Sequence, residues 1–476
     1  FSKHILFNRH RKKPKMTDLK AIDHYLQQTQ PKHLEQLKSL LRIPSVSADP
    51  AYRDSVAAAA QSVLDTLAAA GLKTELIQTD GPPLVYAESP PVPGKPVALV
   101  YGHYDVQPPD PLDLWTTPPF EPTERDGNLF ARGATDDKGQ MLTHVHSVAA
   151  WKGAEQALPM QVKFLIEGEE EVGSEQFEHY LARPEAADKL AADVIVISDS
   201  SQYAKGQPAI TYGLRGIAYF EVHFQGPKQD LHSGSFGGAV NNPAIALAKF
   251  LAKVVDDEGR IKLPGFYDDV EALEETERAM WSKLNFSDTA FAKQLGVSGL
   301  TGEAGFNTLE RRWARPTFDV HGLWSGYQGE GGKTIIPAKA SAKISFRLVP
   351  NQSPQRVAEQ LREFVAANTP TGIRIDVVDL HGGPGVVVNP HSPYIAAAQQ
   401  AIATAFGKQA VLIREGGSIP IVANMVDKLG ADVLLLGWGL DDDGAHSPNE
   451  KFCIQDYFHG IRASSHLWHE ISQVKK

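Results

Sequence analysis

Two kinds of hydrophobic patterning divide the chain. In its first half, short unbroken apolar runs at 97–101, 161–166 and 194–197 read as strands, and 138–152 reads as a helix ended by Gly153. Unbroken apolar strands that alternate with helices indicate a mostly parallel sheet covered on both faces. Two earlier helices are expected, over 18–43 with an interruption near Pro31, and over 53–70, stopped by Gly71. The texture changes near residue 212. Residues 215–224 and 339–349 alternate with period two, which suggests antiparallel strands with one wet face. Between and after them lie a helix over 243–255, an acidic helical stretch over 268–277, an amphipathic helix over 354–367 and a strand over 373–379. The first texture resumes after His381-Gly382-Gly383-Pro384-Gly385, most clearly at 433–436. The pattern predicts an α/β fold: a mostly parallel sheet flanked by helices, over 16–211 and 384–476, with an inserted α+β domain over 212–383.

Composition narrows the function. The chain has 476 residues, 42% hydrophobic and 22% charged, which excludes disorder, collagen and coiled coil as whole-chain descriptions. A net charge of −10 argues against a general nucleic-acid or anionic-membrane binder, because phosphates select a basic surface. No apolar run approaches the ~18 residues a membrane span needs. Cys453 is the single cysteine, so there is no intramolecular disulfide and no thiolate cluster. Any metal must be held by His, Asp and Glu. The count is compatible with a reducing compartment, and a cytoplasmic location is the expectation. Residues 1–15 carry Lys3, Arg9, Arg11, Lys12, Lys13 and Lys15 and no acid. They lack the apolar core of a secretory signal. Met16 is the expected start, with a short basic targeting arm as the alternative.

Five short signals carry candidate chemistry, four of them at the ends of expected strands, where open α/β sheets place their sites. In Gly102-His103-Tyr104-Asp105, the His and Asp point to one side of an extended chain. His103 is a candidate ligand and Asp105 a group that could hold its ring. In Arg132-Gly133-Ala134-Thr135-Asp136-Asp137-Lys138-Gly139, the acids either cap a helix or bridge two metals. In Glu167-Gly168-Glu169-Glu170-Glu171-Val172-Gly173-Ser174, one acid can ligate metal while its neighbour takes a proton from a metal-bound water. The other two are Asp199, closing a strand, and His446, in a Gly/Pro loop that runs to Glu450. Together they offer two imidazoles, two terminal carboxylates, one bridging carboxylate and one free acid. Oxygen and nitrogen ligands without sulfur suit a co-catalytic pair of Zn, Mn or Co ions about 3.5–4 Å apart. Gly329-Glu330-Gly331-Gly332-Lys333-Thr334 resembles the end of a phosphate-binding loop, but its first glycine would fall on Tyr327 and no helix follows.

These motifs, in this order, resemble the signatures of the di-zinc metallopeptidase family of carnosinases, cytosolic nonspecific dipeptidases, aminoacylases, acetylornithine deacetylases and succinyl-diaminopimelate desuccinylases. The resemblance runs from about residue 17 to the C-terminus. Three further segments resemble the carnosinase and nonspecific dipeptidase branch in particular: those around His232-Ser233-Gly234, Phe346-Arg347-Leu348 and Gly416-Gly417-Ser418. The resemblance implies a catalytic domain with an inserted lid and dimerisation domain, and a homodimer. It implies two divalent ions per subunit, with zinc foremost and manganese or cobalt as alternatives. Asp136 would bridge them, His103 and Asp199 would complete one site, and Glu171 and His446 the other. It further implies that Asp105 orients His103 and that a metal-bridged water is the nucleophile, with Glu170 as general base. His232 would stabilise the oxyanion from across the dimer, and Arg347, Ser418 and Thr334 would bind substrate. The implied activity is hydrolysis of dipeptides with broad specificity. The alternatives are an N-acyl-amino-acid deacylase on the same scaffold and a non-catalytic binding protein. The latter predicts a broken ligand set, whereas here every expected ligand and the base are present.

Overall fold

The computed structural model describes residues 17–417 and 419–475. The basic segment 1–15 and the expected start at Met16 lie outside the described residues. The larger sheet has nine strands. Across it run Lys73–Ile77, Leu84–Glu88, Gln161–Glu167, Val97–His103, Val194–Ser201, Asp432–Gly439, Ala209–Leu214 and Val386–Val387, and Val411–Glu415 pairs with Ala209–Leu214 off this path. The four central strands, from Gln161–Glu167 to Asp432–Gly439, are mutually parallel, and the strands outside them begin with antiparallel pairs.

Side-chain alternation explains the unbroken apolar runs. Ala98 and Val100 point into one core, with the helices Leu19–Leu41, Lys138–Gly153 and Ile454–Gln473. Leu99 and Tyr101 point into another, with Glu175–Leu181, Pro184–Leu190 and Pro420–Leu429. A strand buried on both faces has no position to spare for a polar residue. The first helix departs from expectation: it runs unbroken from Leu19 to Leu41 through Pro31. A proline inside a helix costs about 3 kcal/mol. Leu26, Leu37, Leu40 and Leu41 are buried on that helix, at about 1.5–3 kcal/mol each, so packing outweighs the break.

The smaller sheet is antiparallel, in the order Thr317–Ser325, Lys339–Leu348, Gly216–Gln225 and Arg374–Gly383. Buried and half-buried positions alternate along Gly216–Gln225. Its Ala218, Phe220, Val222 and Phe224 pack under the helices Pro243–Val254 and Pro354–Asn368.

The expected boundary at 212 falls inside Ala209–Leu214, a strand of the larger sheet, and the smaller sheet begins at Gly216. The acidic stretch forms a helix only over Glu275–Trp281. From there to 314 the insertion packs against the larger core, through Trp281, Leu284, Leu309 and Trp313. Trp281 and Trp313 meet edge to face, 5.2 Å between centroids, an arrangement worth about 0.5–1.5 kcal/mol beyond the area it buries. Large aromatic anchors override the sequence order of the domains here.

The chain passes between the two sheets twice, and the crossings touch. A Cβ on Gly216 would lie 2.5 Å from the Gly383 carbonyl oxygen and 2.5 Å from the Gly385 nitrogen. Only glycine lets the two crossings lie against each other. Among the described residues, no helix is long and apolar enough to cross a membrane.

Candidate metal centre

The carboxyl ends of the parallel strands converge on one cluster. His103 ends its strand, and Asp199 lies near the end of the neighbouring one, paired so that Tyr101 faces Ile197. Asp136 lies in the turn before the helix Lys138–Gly153. Glu170 and Glu171 occupy a single 3₁₀ turn after Gln161–Glu167. His446 sits in the loop after Asp432–Gly439 with a positive φ of 61°.

Candidate ligand atoms of His103, Asp136 and Asp199 all lie within 4.8 Å of one another, and so do those of Asp136, Glu171 and His446. Asp136 belongs to both triads and faces two ways. Its Oδ1 lies 3.2 Å from His103 Nε2, and its Oδ2 lies 2.9 Å from His446 Nε2. His446 Nε2 is also 3.3 Å from Glu171 Oε2. Behind His103, the buried Asp105 places Oδ1 3.3 Å from the ring Nδ1. The Asp105 carboxylate also accepts the backbone N–H groups of Glu170 and Glu171, at 3.3 and 3.2 Å. One acid thus orients the imidazole and the turn that carries the next two acids.

The three consecutive glutamates separate by partner. Glu169 accepts from the backbone of Gln176 at the start of the helix Glu175–Leu181. Glu171 accepts from Gln107 Nε2 at 2.8 Å. The Glu170 carboxylate has no hydrogen bond among the described residues.

The charge balance fits cations. Burial pushes Asp199 well above the usual carboxylate range, and the nearby charges of Asp136 and Asp137 add to this. Burial likewise raises Glu171, and lifts Glu170 to about 8. Hydrogen bonds to Asp136 and Glu171 raise His446 to about 10. Burial alone would lower His103, but the Asp105 and Asp136 carboxylates beside its ring carry it well above the usual value. The acids therefore demand positive charge that protons supply poorly. His103 Nε2 is buried without a hydrogen-bond partner and points at Asp136. With Nδ1 donating to the Asp105 carbonyl at 3.2 Å, a cation in place of the proton would meet the Nε2 lone pair, as a metal ligand requires. Two imidazoles and three carboxylates without sulfur fit a pair of divalent ions.

Three buried acids around the cluster were not singled out from the sequence as functional. Glu167 accepts from Tyr101 at 2.7 Å and Ser174 at 2.9 Å, tying the strand end to the turn. Asp137 accepts from the His103 backbone at 3.2 Å. Glu450 accepts from the loop that carries Asp136. The available signal was an acid beside an apolar strand or motif, with no metal-ligand spacing of its own.

The other expected site residues lie elsewhere. Arg347, half-buried on the smaller sheet, lines a cavity of about 810 Å³ together with Arg215, Glu415, Gly416 and Gly417. The cavity does not contain the metal-ligand triads. It reaches Leu440, Asp441 and Asp442, on the loop that leads to His446. His232 is exposed, and its Nδ1 accepts from the backbone of Gly234 at 3.0 Å and Ser235 at 3.2 Å. Thr334 is exposed beside it, just before the facing strand Ile335–Ile336 of a two-residue ribbon, and its carbonyl accepts from Ser233. No hydrogen bond or ion pair among the described residues joins His232 or Thr334 to the triads. Ser418 lies outside the described residues.

Residues 99–470 match peptidase family M20/M25/M40. The chain is 35% identical over 456 residues to the Cys-Gly metallodipeptidase dug1 of Schizosaccharomyces pombe, an alignment that covers 92% of this chain and 95% of that protein. It is 33% identical over 475 residues to the Beta-Ala-His dipeptidase of Homo sapiens, covering 96% and 93%. The solved structure of the di-peptidase Dug1p from Saccharomyces cerevisiae has the same fold, with a TM-score of 0.85 and 31% identity over 96% of this chain and 99% of that one. By a match that takes in more than half its length, and by relatives that share both its fold and its full span, this chain belongs to peptidase family M20/M25/M40.

Proposed function

We propose that this chain is a metal-dependent dipeptidase of broad specificity. One observation carries the reading: the Asp136 carboxylate is shared by two complete ligand triads, each with one imidazole. Relatives named as dipeptidases over nearly their full lengths favour a dipeptide over the N-acyl amino acid of a deacylase.

His103, Asp136 and Asp199 would hold one ion, and Asp136, Glu171 and His446 the other. Zinc is the first candidate, with manganese and cobalt as alternatives. When bound, such a pair supplies an acidified water and Lewis-acid polarisation of the scissile carbonyl. The chain's own residues do the rest. Asp105 keeps His103 in one tautomer. Glu170, the one acid of its run without a hydrogen bond, takes the proton of the attacking water and returns it to the leaving amine. Arg347 receives the substrate's C-terminal carboxylate as a fork, with Ser418 and Thr334 in contact with the substrate.

His232 donates to the oxyanion from the second subunit of a homodimer. Two features support this. Among the described residues, the side-chain hydrogen bonds of His232 stay within its own turn. The edge strand Thr317–Ser325 leaves Val320, Leu323 and Trp324 exposed beside an unpaired backbone edge, a surface that proteins normally cover. The unit from 216 to 383 then serves as lid and dimerisation domain. We place the protein in the cytoplasm on its single thiol, Cys453, a placement that cell fractionation checks.

Four outcomes are expected. The protein stripped of metal by a chelator should lose hydrolysis of unblocked dipeptides, and zinc or manganese should restore it. Full turnover in a sample shown metal-free by elemental analysis, or a preference for N-acetyl amino acids, would overturn the reading. Glu170→Gln should keep both ions and lose about 10²–10⁴-fold in turnover, the usual scale of general base catalysis. If it loses an ion while Glu171→Gln does not, the two roles are reversed. Light scattering at assay concentration should give a dimer, and a fully active monomer would contradict the role of His232. Finally, the enzyme should cleave a dipeptide much better than its C-terminal amide. Arg347→Ala should erase most of that difference, at about 2–5 kcal/mol for one partner of a desolvated charged pair. If kcat/KM falls equally for acid and amide, Arg347 shapes the domain and does not read the carboxylate.

A further inference from the structure

Glu450 is fully buried, with 0% exposure, and stands four residues after His446. Both its oxygens are occupied. Oε2 accepts from Arg132 Nη1 at 2.8 Å and from the Gly133 backbone at 2.9 Å. Oε1 accepts from the backbone of Thr135 at 2.9 Å and of Asp136 at 3.2 Å. The loop 132–136 is thus wrapped around one carboxylate that belongs to a different loop. Every contact is a donor, and four donors satisfy the lone pairs of a carboxylate. Glu450 therefore has no capacity left to serve as a metal ligand itself. A second strap runs through the main chain, where Ala131 N–H donates to the Glu450 carbonyl at 3.1 Å.

The position of this clasp matters. Asp136 is at one end of the wrapped loop. At the far end of the Glu450 loop is His446, whose side chain is 57% exposed, while that of Glu171 is only 4% exposed. His446 lies on a loop rather than on the sheet. Its separation from Asp136 depends on what joins their two loops. His103 and Asp199, by contrast, are fixed by neighbouring strands in register.

The geometry points to Glu450 as a positioning residue that sets the affinity of the Asp136–Glu171–His446 cation site more than that of its neighbour, by clasping the Asp136 loop to the His446 loop. The inference rests on the di-metal part of the function proposed above, and not on the identity of the substrate. A group that orients ligands without touching the ion typically changes metal affinity by about 10–100-fold. Asp136 is shared, so some loss reaches both sites, but only one of them also loses the placement of its imidazole. A uniform structural brace would weaken both alike, whereas this clasp weakens the His446 site by the larger factor.

The test is calorimetric titration of Zn²⁺ into the metal-stripped full-length protein, in a buffer with a competing chelator, on the wild type, Glu450→Gln, His446→Ala and the double variant. Glutamine presents an amide N–H₂ to a pocket made only of donors, so the clasp is lost with little change of volume. The wild type should bind two ions. Glu450→Gln should bind the weaker one about 10–100-fold less tightly and the other less tightly by a clearly smaller factor. Adding Glu450→Gln to His446→Ala should cost the remaining site only that smaller factor, because the larger part of the effect runs through His446. If Glu450→Gln does not fold, Arg132→Lys replaces it: it keeps a charge beside the carboxylate but cannot also bond the Pro108 carbonyl as Nη2 does, and should show the same unequal loss on a smaller scale. Two unchanged affinities, or a parallel loss at both sites, overturn the proposal. Because the readout is the ion and not turnover, two-ion binding without dipeptide cleavage would sink the dipeptidase reading and leave this one standing.

Discussion

One carboxylate has to face in two directions, and much of the architecture follows from that. Asp136 presents an oxygen to each of two imidazoles, and Glu170, Glu171 and Asp199 crowd the same space. Two like charges 4 Å apart cost about 4 kcal/mol at an effective dielectric of 20. A cluster of several such acids is stable only with concentrated positive charge among them. Among the described residues, Asp136 and Glu171 form ion pairs with His103 and His446 and with no lysine or arginine. Two divalent ions resolve this without basic residues, which would fill the space a substrate needs.

Holding that arrangement takes a second ring of acids, and each of them spans two elements. Asp105 links His103 to the 3₁₀ turn of Glu170 and Glu171. Glu167 joins Tyr101 on the adjacent strand to Ser174 beyond the turn. Asp137 fixes the His103 backbone from the next loop. Glu450 clasps the Asp136 loop from the His446 loop. Backbone N–H groups are the main donors to Asp105, Asp137 and Glu450. A ligand held through the backbone depends on the fold and not on long, mobile side chains, which is the rigidity a metal site requires.

What the sequence made legible, and what it did not, divides along the same line. The strands at 97–101, 161–166 and 194–197 were readable because burial on both faces leaves an unbroken apolar run. The alternating strand beginning at Gly216 was readable because one of its faces is wet. His103, Glu171 and Asp199 drew attention because each follows such a strand, Asp136 lay in a turn leading into a helix and His446 in a Gly/Pro loop, and their division into two ligand sets came from the resemblance of the motifs taken together. Other features depended on partners far away in the chain. The continuity of the first helix through Pro31 depends on the core that buries Leu26, Leu37 and Leu40. The docking of Trp281 and Trp313 on the larger core depends on their meeting each other, and no local periodicity encodes it. Glu450 looked like the polar end of a loop because its partners, Arg132 to Asp136, lie more than three hundred residues earlier.

The cluster is also graded in exposure, and the gradient gives the site a direction. The His103 side chain is wholly buried, that of Asp136 is 17% exposed and that of His446 is 57% exposed. The closed end abuts the parallel sheet, where ligands are fixed by strand register. The open end lies on loops, beside the cavity that Arg347 lines from the smaller sheet. In the function proposed above, a substrate would approach from the His446 side and meet the inserted domain as it does so. The ligand nearest to that approach is also the one with least support from the sheet. Access and rigidity compete at this position, because an open site needs a loop and a metal site needs fixed ligands. Burying the clasp four residues away from the exposed imidazole meets both needs: His446 stays accessible, while its loop is anchored in a pocket that water does not reach.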